Sequence, residues 1–283
     1  MAADDEDLLA TGLEPRIEMR DYWDGITAMY AGAANVALQM LGAPGVAYGV
    51  MESKVESGRI DKHPIKRGRT TLTYLAIAVL GTDRERYLYR EAVNTSHRQV
   101  RSTAESPVRY NAFDPELQLW VAACLYFGLV DTWEALHGPL DDELAERIYR
   151  QSDVLGTTLQ MRPEQWPASR REFYDYFDER LETAEVDDAT IDFLRRLYRF
   201  DQMPVWFAPA GRFLEFMNVG FTPPALREKL GYTWKRRHQR AFDLITATTG
   251  AVNRRLPRFV RNMPFNLYLW DVRRRMRAGQ PLV

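Results

Sequence analysis

Residues 70–100, "TTLTYLAIAVLGTDRERYLYREAVNTSHRQV", hold two different helical signatures separated by one glycine. The first twelve residues are apolar almost all round, which fits a helix buried on every side. After Gly81 the pattern becomes one-sided. Tyr89, Val93, His97 and Val100 follow the i, i+4, i+8, i+11 spacing of a single helical face, and charged and polar residues occupy most of the rest. A fully buried helix followed at once by an amphipathic one is the pattern of an all-α core. A histidine within the apolar stripe raises a second question: whether it fills space or holds a ligand.

The surrounding sequence extends the helical reading. "DPELQLWVAACLYFGLVDTWEALHG" (114–138) starts with Asp114 as N-cap and Pro115 at the first helical position, and it closes at Gly138. "DYWDGITAMYAGAANVALQMLG" (21–42) ends at Gly42. Further helices are expected over 139–156, ended by Gly156, over 187–200, and in "PPALREKLG" and "TWKRRHQRAFDLITATTGAVNRRL". Ser169 and Glu172 form a capping box at the start of another. With no repeat and no low-complexity linker, one helical domain over 21–283 is expected, preceded by an acidic, flexible tail over 1–20.

Composition narrows the function classes. The 283 residues carry a net charge of -1, so no global field draws nucleic acid. The single cysteine, Cys124, excludes an intramolecular disulfide and any multi-cysteine metal cluster. The acidic start lacks the pattern of a secretory signal, and a cytoplasmic setting is expected. No uninterrupted apolar run of eighteen residues occurs, so no transmembrane helix is expected; "LQLWVAACLYFGLV" (117–130) reads as core.

Taken by itself, His97 is either a hydrogen-bonded core residue or a ligand, and lone histidines on apolar faces are more often the former. Asn94 and Arg101 lie one turn to either side, placed to orient the imidazole or to meet an anion. In "HPIKRGRTTLTYL" (63–75), Lys66, Arg67 and Arg69 precede the buried helix. They form either a solvated basic loop or a guanidinium with the hydroxyls of Thr70 and Thr71 at the mouth of an apolar pocket. "EALH" (134–137) is half of a di-iron carboxylate motif without its other half. The basic run "DVRRRMRAG" (271–279) suits a solvated helix end pairing with acidic residues better than a nucleic-acid or membrane contact.

Four segments together carry a family likeness: "GAPGVAYGV" (42–50), "HPIKRGRTTLTYLAIAVLG" (63–81), "VNTSHRQVRS" (93–102) and "YNAFDPELQLWVAACL" (110–125). In this order they resemble the family of the bacterial rubber oxygenase (latex-clearing protein) and the fungal oxygenase MpaB. The resemblance implies a single globin-like multi-helix domain enclosing one haem b. It implies oxidative cleavage or oxygenation of a small apolar olefin, isoprenoids among the candidates, with dioxygen. The proximal haem ligand of the family falls on His97, and its Arg-x-x-x-Thr pattern falls on Arg67 and Thr71. Thr70 stands where the rubber oxygenase has a lysine able to cap the iron. An acidic residue acting from the preceding segment falls on Glu52, with Glu56 as the other possibility. Trp120, Tyr126, Phe127 and Tyr74 are expected to wall the pocket. Two rival readings remain at this point. One is a haem protein without oxygenase turnover, such as a sensor or carrier; the other is a cofactor-free helical binding module.

Overall fold

The computed structural model describes residues 19–55, 59–201 and 203–283, without the side chains of 31–33. The chain enters through the buried Met19 and Trp23. Asp24 then caps helix α1, Gly25–Leu41, by accepting from the Thr27 backbone N–H at 2.8 Å. Gly42 ends α1, and Pro44 opens α2, Pro44–Met51, at a position where its missing N–H costs nothing. Helix α3 runs Pro64–Leu80 and α4 runs Asp83–His97, the latter started by a complete capping box between Thr82 and Glu85. Helix α5, Pro115–His137, has the expected Asp114 cap and the expected stop at Gly138, whose φ of 93° suits a residue without Cβ.

The remaining helices are α6 (Asp142–Arg150), α7 (Val154–Thr157), α8 (Arg170–Glu182), α9 (Asp188–Arg199), α10 (Ala208–Phe221), α11 (Pro224–Lys229), α12 (Arg236–Arg255), α13 (Arg258–Arg261) and α14 (Phe265–Arg277). No strand occurs among the described residues; one isolated bridge joins Arg101 and Asn111. The fold is all-α, as the periodicity predicts. The helix expected over 139–156 is broken: Gln151–Asp153 turn away, and the Ser152 hydroxyl donates to the Ile148 carbonyl at 2.6 Å. Short polar side chains compete for backbone in this way and weaken helix interiors. The tail expected over 1–20 falls, for residues 1–18, outside the described residues.

Helix α5 is the axis. It packs against α1 on one side, α12 on another and α7 on a third, while α3 is covered by α14 and flanked by α4 and α7. Helix α5 is long and apolar enough to cross a membrane by length and composition, and most of it is buried inside the fold. Two of its contacts demand glycine. A Cβ on Gly42 would stand 2.0 Å from the Trp120 ring, and one on Gly250 would stand 1.6 Å from the Leu136 carbonyl oxygen. The second clash is with backbone, which cannot rotate away. Gly250→Ala is therefore expected to push α12 off α5 and to cost about 1–3 kcal/mol or more, read by chemical denaturation.

Candidate active site

Helices α2, α3, α4 and α5 each turn one stripe onto a cavity of about 250 Å3. From α3 come Arg67, Thr70, Thr71 and Tyr74, spaced i, i+3, i+4, i+7; from α4 come Tyr89, Val93, Ser96 and His97. Leu117, Gln118, Val121, Ala122 and Leu125 form the α5 stripe. Small residues also line the cavity. Gly45 and Gly49 face it from α2, Ala122 from α5, and Gly156 from α7.

The α3 helix begins at Pro64, so residues 64–69 are helical rather than the expected loop. This has a direct consequence for the basic run. The 3.6-residue period sends Arg67 inward, while Lys66 and Arg69 remain exposed. Lys66 is thus directed to solvent and away from the cavity. Arg67 is largely buried against the cavity, and burial pulls its guanidinium below the ordinary arginine value. Among the described residues no carboxylate pairs with it.

His97 is the last residue of α4. A helix C-terminus favours protonated histidine, but here burial wins. Burial, reinforced by the positive charge of Arg67, lowers the imidazole to about 4. His97 is therefore neutral at pH 7. Its Nδ1 is buried and makes no hydrogen bond among the described residues. Phe113 meets the imidazole edge-on, with ring centroids 6.2 Å apart at 84°, and this contact restrains the ring plane.

The two threonine hydroxyls donate backward along α3. Thr70 Oγ1 gives its proton to the Lys66 carbonyl at 3.0 Å and Thr71 Oγ1 to the Arg67 carbonyl at 3.1 Å. In this state each presents only oxygen lone pairs to the cavity. The donor capacity expected of Thr71 is already used, which leaves Arg67 as the strong donor.

Other expected site residues stand further back. Glu52 caps α2 and is outside the cavity wall. Its Oε2 accepts from Tyr110 Oη at 2.9 Å and Ser106 Oγ at 2.6 Å, and Tyr110 is the residue that lines the cavity. Burial and the Glu52 carboxylate push the Tyr110 phenol up to about 12, so it stays protonated and held. Glu52 meets the cavity wall through Tyr110, and Glu56 lies outside the described residues. Asn94 does not touch the imidazole: its Oδ1 accepts from Gln160, whose own Oε1 accepts from Gln118 in the wall. Arg101 is exposed. Spacing placed it under His97, but the helix ends at His97 and the chain becomes extended. Side chains then alternate, and Val100 points in while Arg101 points out. Of the expected aromatic wall only Tyr74 lines the cavity; Trp120 and Phe127 stack on Phe177, and Tyr126 packs on Phe173. The "EALH" histidine, His137, stacks on Trp133 and accepts from Arg254 at 3.2 Å. Among the described residues no group of three His, Cys, Asp or Glu side chains is placed to hold a metal ion, so the di-iron reading lapses.

The geometry can now be set beside known proteins. Residues 19–251 match the family described as "ER-bound oxygenase mpaB/B'/Rubber oxygenase, catalytic domain". The chain belongs to this family. Its oxygenase-family catalytic domain therefore includes the whole set of α2, α3, α4 and α5 that builds the cavity. An uncharacterized protein of Mycobacterium tuberculosis and one of Mycobacterium bovis are each 46% identical over 257 residues, covering 90% of this chain and all of the relative. No solved structure matches.

Reading the sequence alone misses Phe113, Gln118 and Tyr110 in this mpaB/rubber-oxygenase site. Gln118 was visible as a polar residue inside an otherwise apolar helical run. Phe113 and Tyr110 lie in the irregular segment 98–113, where no periodicity assigns a facing direction.

The lowered His97 value predicts a pH dependence. In the unfolded chain the imidazole titrates near its ordinary value, so between about 6.5 and 4 the unfolded state binds the extra proton. For protein carrying no ligand, the His97 contribution is complete above that window and is lost as pH falls through it. The expected size is on the order of 3 kcal/mol. Denaturation of wild type and His97→Phe at pH 7 and pH 4.5 checks it: the wild type loses more stability than the variant, and equal losses would contradict the assignment.

Proposed function

We propose that the chain is a haem b-dependent oxygenase acting with dioxygen on a small apolar olefin. One observation carries the reading: a neutral, largely buried imidazole, His97, lines an apolar cavity, and its enclosed Nδ1 makes no hydrogen bond among the described residues. Metal ligation requires histidine in that neutral form. A haem iron needs a single protein ligand, which suits a cavity where, among the described residues, no second His, Cys or carboxylate lines the wall. Haem is also large, flat and apolar with anionic side arms, and the wall offers small residues at Gly45 and Gly49 and, at Arg67, a largely buried cation without a carboxylate partner among the described residues.

In this reading His97 holds the iron, and Phe113 restrains the imidazole. Bound haem supplies the redox chemistry that activates dioxygen. Arg67 offers directed N–H donors and a positive charge to whatever anionic group the cavity contains. Thr71 and Thr70 accept hydrogen bonds, and Tyr110, tethered to Glu52, closes one part of the wall. The valines and leucines of α2 and α5 exclude water and receive the apolar substrate.

Thr71 tests the division of roles. Its hydroxyl proton is engaged by the Arg67 carbonyl, so Thr71→Val is expected to lower oxygen consumption less than tenfold, against about a hundredfold for loss of the Arg67 donors. An equal loss in both variants would show that Thr71 reorients and donates. The broader reading is tested by spectroscopy of the purified protein and by oxygen uptake with olefin panels.

A further inference from the structure

Helices α13 and α14 carry a surface that the cavity chemistry does not use. One face of α14 is buried through Phe265, Leu269 and Val272, which pack toward α3. The opposite face is Asn266, Leu267, Trp270, Arg273, Arg274 and Arg277, all exposed. Leu267 is 49% exposed, Trp270 57%, and Met263, two residues before the helix, 39%. Asn266 Nδ2 donates to the Phe259 carbonyl at 3.0 Å, which brings α13 against the start of the same face; Phe259 is 70% exposed. Single exposed apolar residues are ordinary, but Leu267 and Trp270 on one helical face, with Phe259 and Met263 exposed in the segment that leads into it, are four within twelve residues.

The charge around the stripe is one-sided. Residues 254–277 contain eight arginines and a single acidic residue, Asp271, in a chain whose net charge is -1. The guanidinium of Arg274 lies 5.9 Å from the Trp270 ring centroid. Some of these arginines have partners, such as Arg273 with Glu85 at 2.7 Å and Arg274 with Asp271 at 2.8 Å. These are half-exposed pairs of little net worth, and their charge remains in excess.

We infer that the exposed face of α13 and α14 docks the protein on an anionic lipid bilayer. The chemistry matches on both counts. Tryptophan and leucine enter the boundary between headgroups and acyl chains, and arginines beside them meet lipid phosphates. Duplex nucleic acid would meet the arginines but bury nothing of Leu267 and Met263. A two-fold pairing with a second copy would press the basic patch against itself. Because α14 packs on α3, docking brings the helix bearing Arg67 and Thr71 near the phase in which apolar molecules concentrate. The inference rests on the surface alone and is independent of the haem reading.

Co-sedimentation of the full chain with phosphatidylcholine vesicles, with and without phosphatidylglycerol, tests it. Wild type is expected to bind the phosphatidylglycerol vesicles and to be released by salt. The Arg273→Gln, Arg274→Gln, Arg277→Gln triple variant is expected to bind more than tenfold more weakly, since each basic residue near an anionic surface contributes about fivefold. Leu267→Ser with Trp270→Ser is expected to lose about tenfold or more even at low salt. In unsubstituted protein, lipids brominated on the acyl chain should quench emission that Trp270→Phe lacks; this readout needs no destabilising change. Equal binding to both vesicle types, variants that bind like wild type, or absence of that quenching would overturn the proposal. So would preferential binding of duplex DNA, or a dimer that the Trp270 substitution separates without any vesicle binding.

Discussion

His97→Ala protein is expected to lose stable haem, while His63→Ala and His238→Ala retain it. After reconstitution with excess haem and desalting, the haem-to-protein ratio of the His97 variant should fall to background. Removing hydrogen-bond partners around a metal ligand already costs about ten- to a hundredfold in affinity, so losing the ligand itself should cost at least the upper figure. The other histidines have no comparable position. His63 is exposed at the start of α3, and the His238 ring accepts from the Lys235 N–H at 3.3 Å. Free imidazole in the vacated space should restore part of the retention. Full haem content in the His97 variant would remove His97 from the role.

Arg67→Leu should move stability and activity in opposite directions. The guanidinium is largely buried against the cavity, burial depresses it, and among the described residues no carboxylate pairs with it. Enclosing such a charge without a partner is costly, and an apolar replacement of similar reach removes that cost. In protein without a bound ligand, Arg67→Leu should therefore be more stable by about 1–3 kcal/mol, read by urea denaturation. The same change should slow oxygen consumption about a hundredfold, the usual loss when one preorganised donor is removed where charge develops. A residue kept for packing or ion pairing would show the opposite stability sign. A destabilised Arg67→Leu protein with undiminished activity would assign Arg67 to the fold.

Much of this was legible in the sequence where helical periodicity is unbroken. Tyr89, Val93 and His97 line the cavity as their spacing indicates, Val100 lines it from beyond the helix end, and Arg67 and Thr71 share the facing helix as an i, i+4 pair should. The caps at Asp114, Gly138 and Ser169 are where the residue types place them. Legibility failed at element ends. The α3 helix starts a turn and a half earlier than its apolar run, because Pro64 initiates a helix that the charges of Lys66, Arg67 and Arg69 conceal. Arg101 was assigned by helical spacing beyond the point where the helix stops. Trp120, Tyr126 and Phe127 show a different limit. Helix α5 is buried on nearly all sides, so its apolar residues do not reveal which face meets the cavity and which meets α8. Only the packing of Phe173 and Phe177 against them decides it.

The proposed chemistry stands or falls on whether the cavity binds haem through His97. The visible spectrum of purified, haem-reconstituted wild-type protein, recorded as isolated and then with dithionite and carbon monoxide, reads this in one experiment. The account predicts a stoichiometric Soret band that shifts on reduction and again on addition of carbon monoxide. A protein that is folded by circular dichroism yet shows no Soret band above free haem after reconstitution would contradict it.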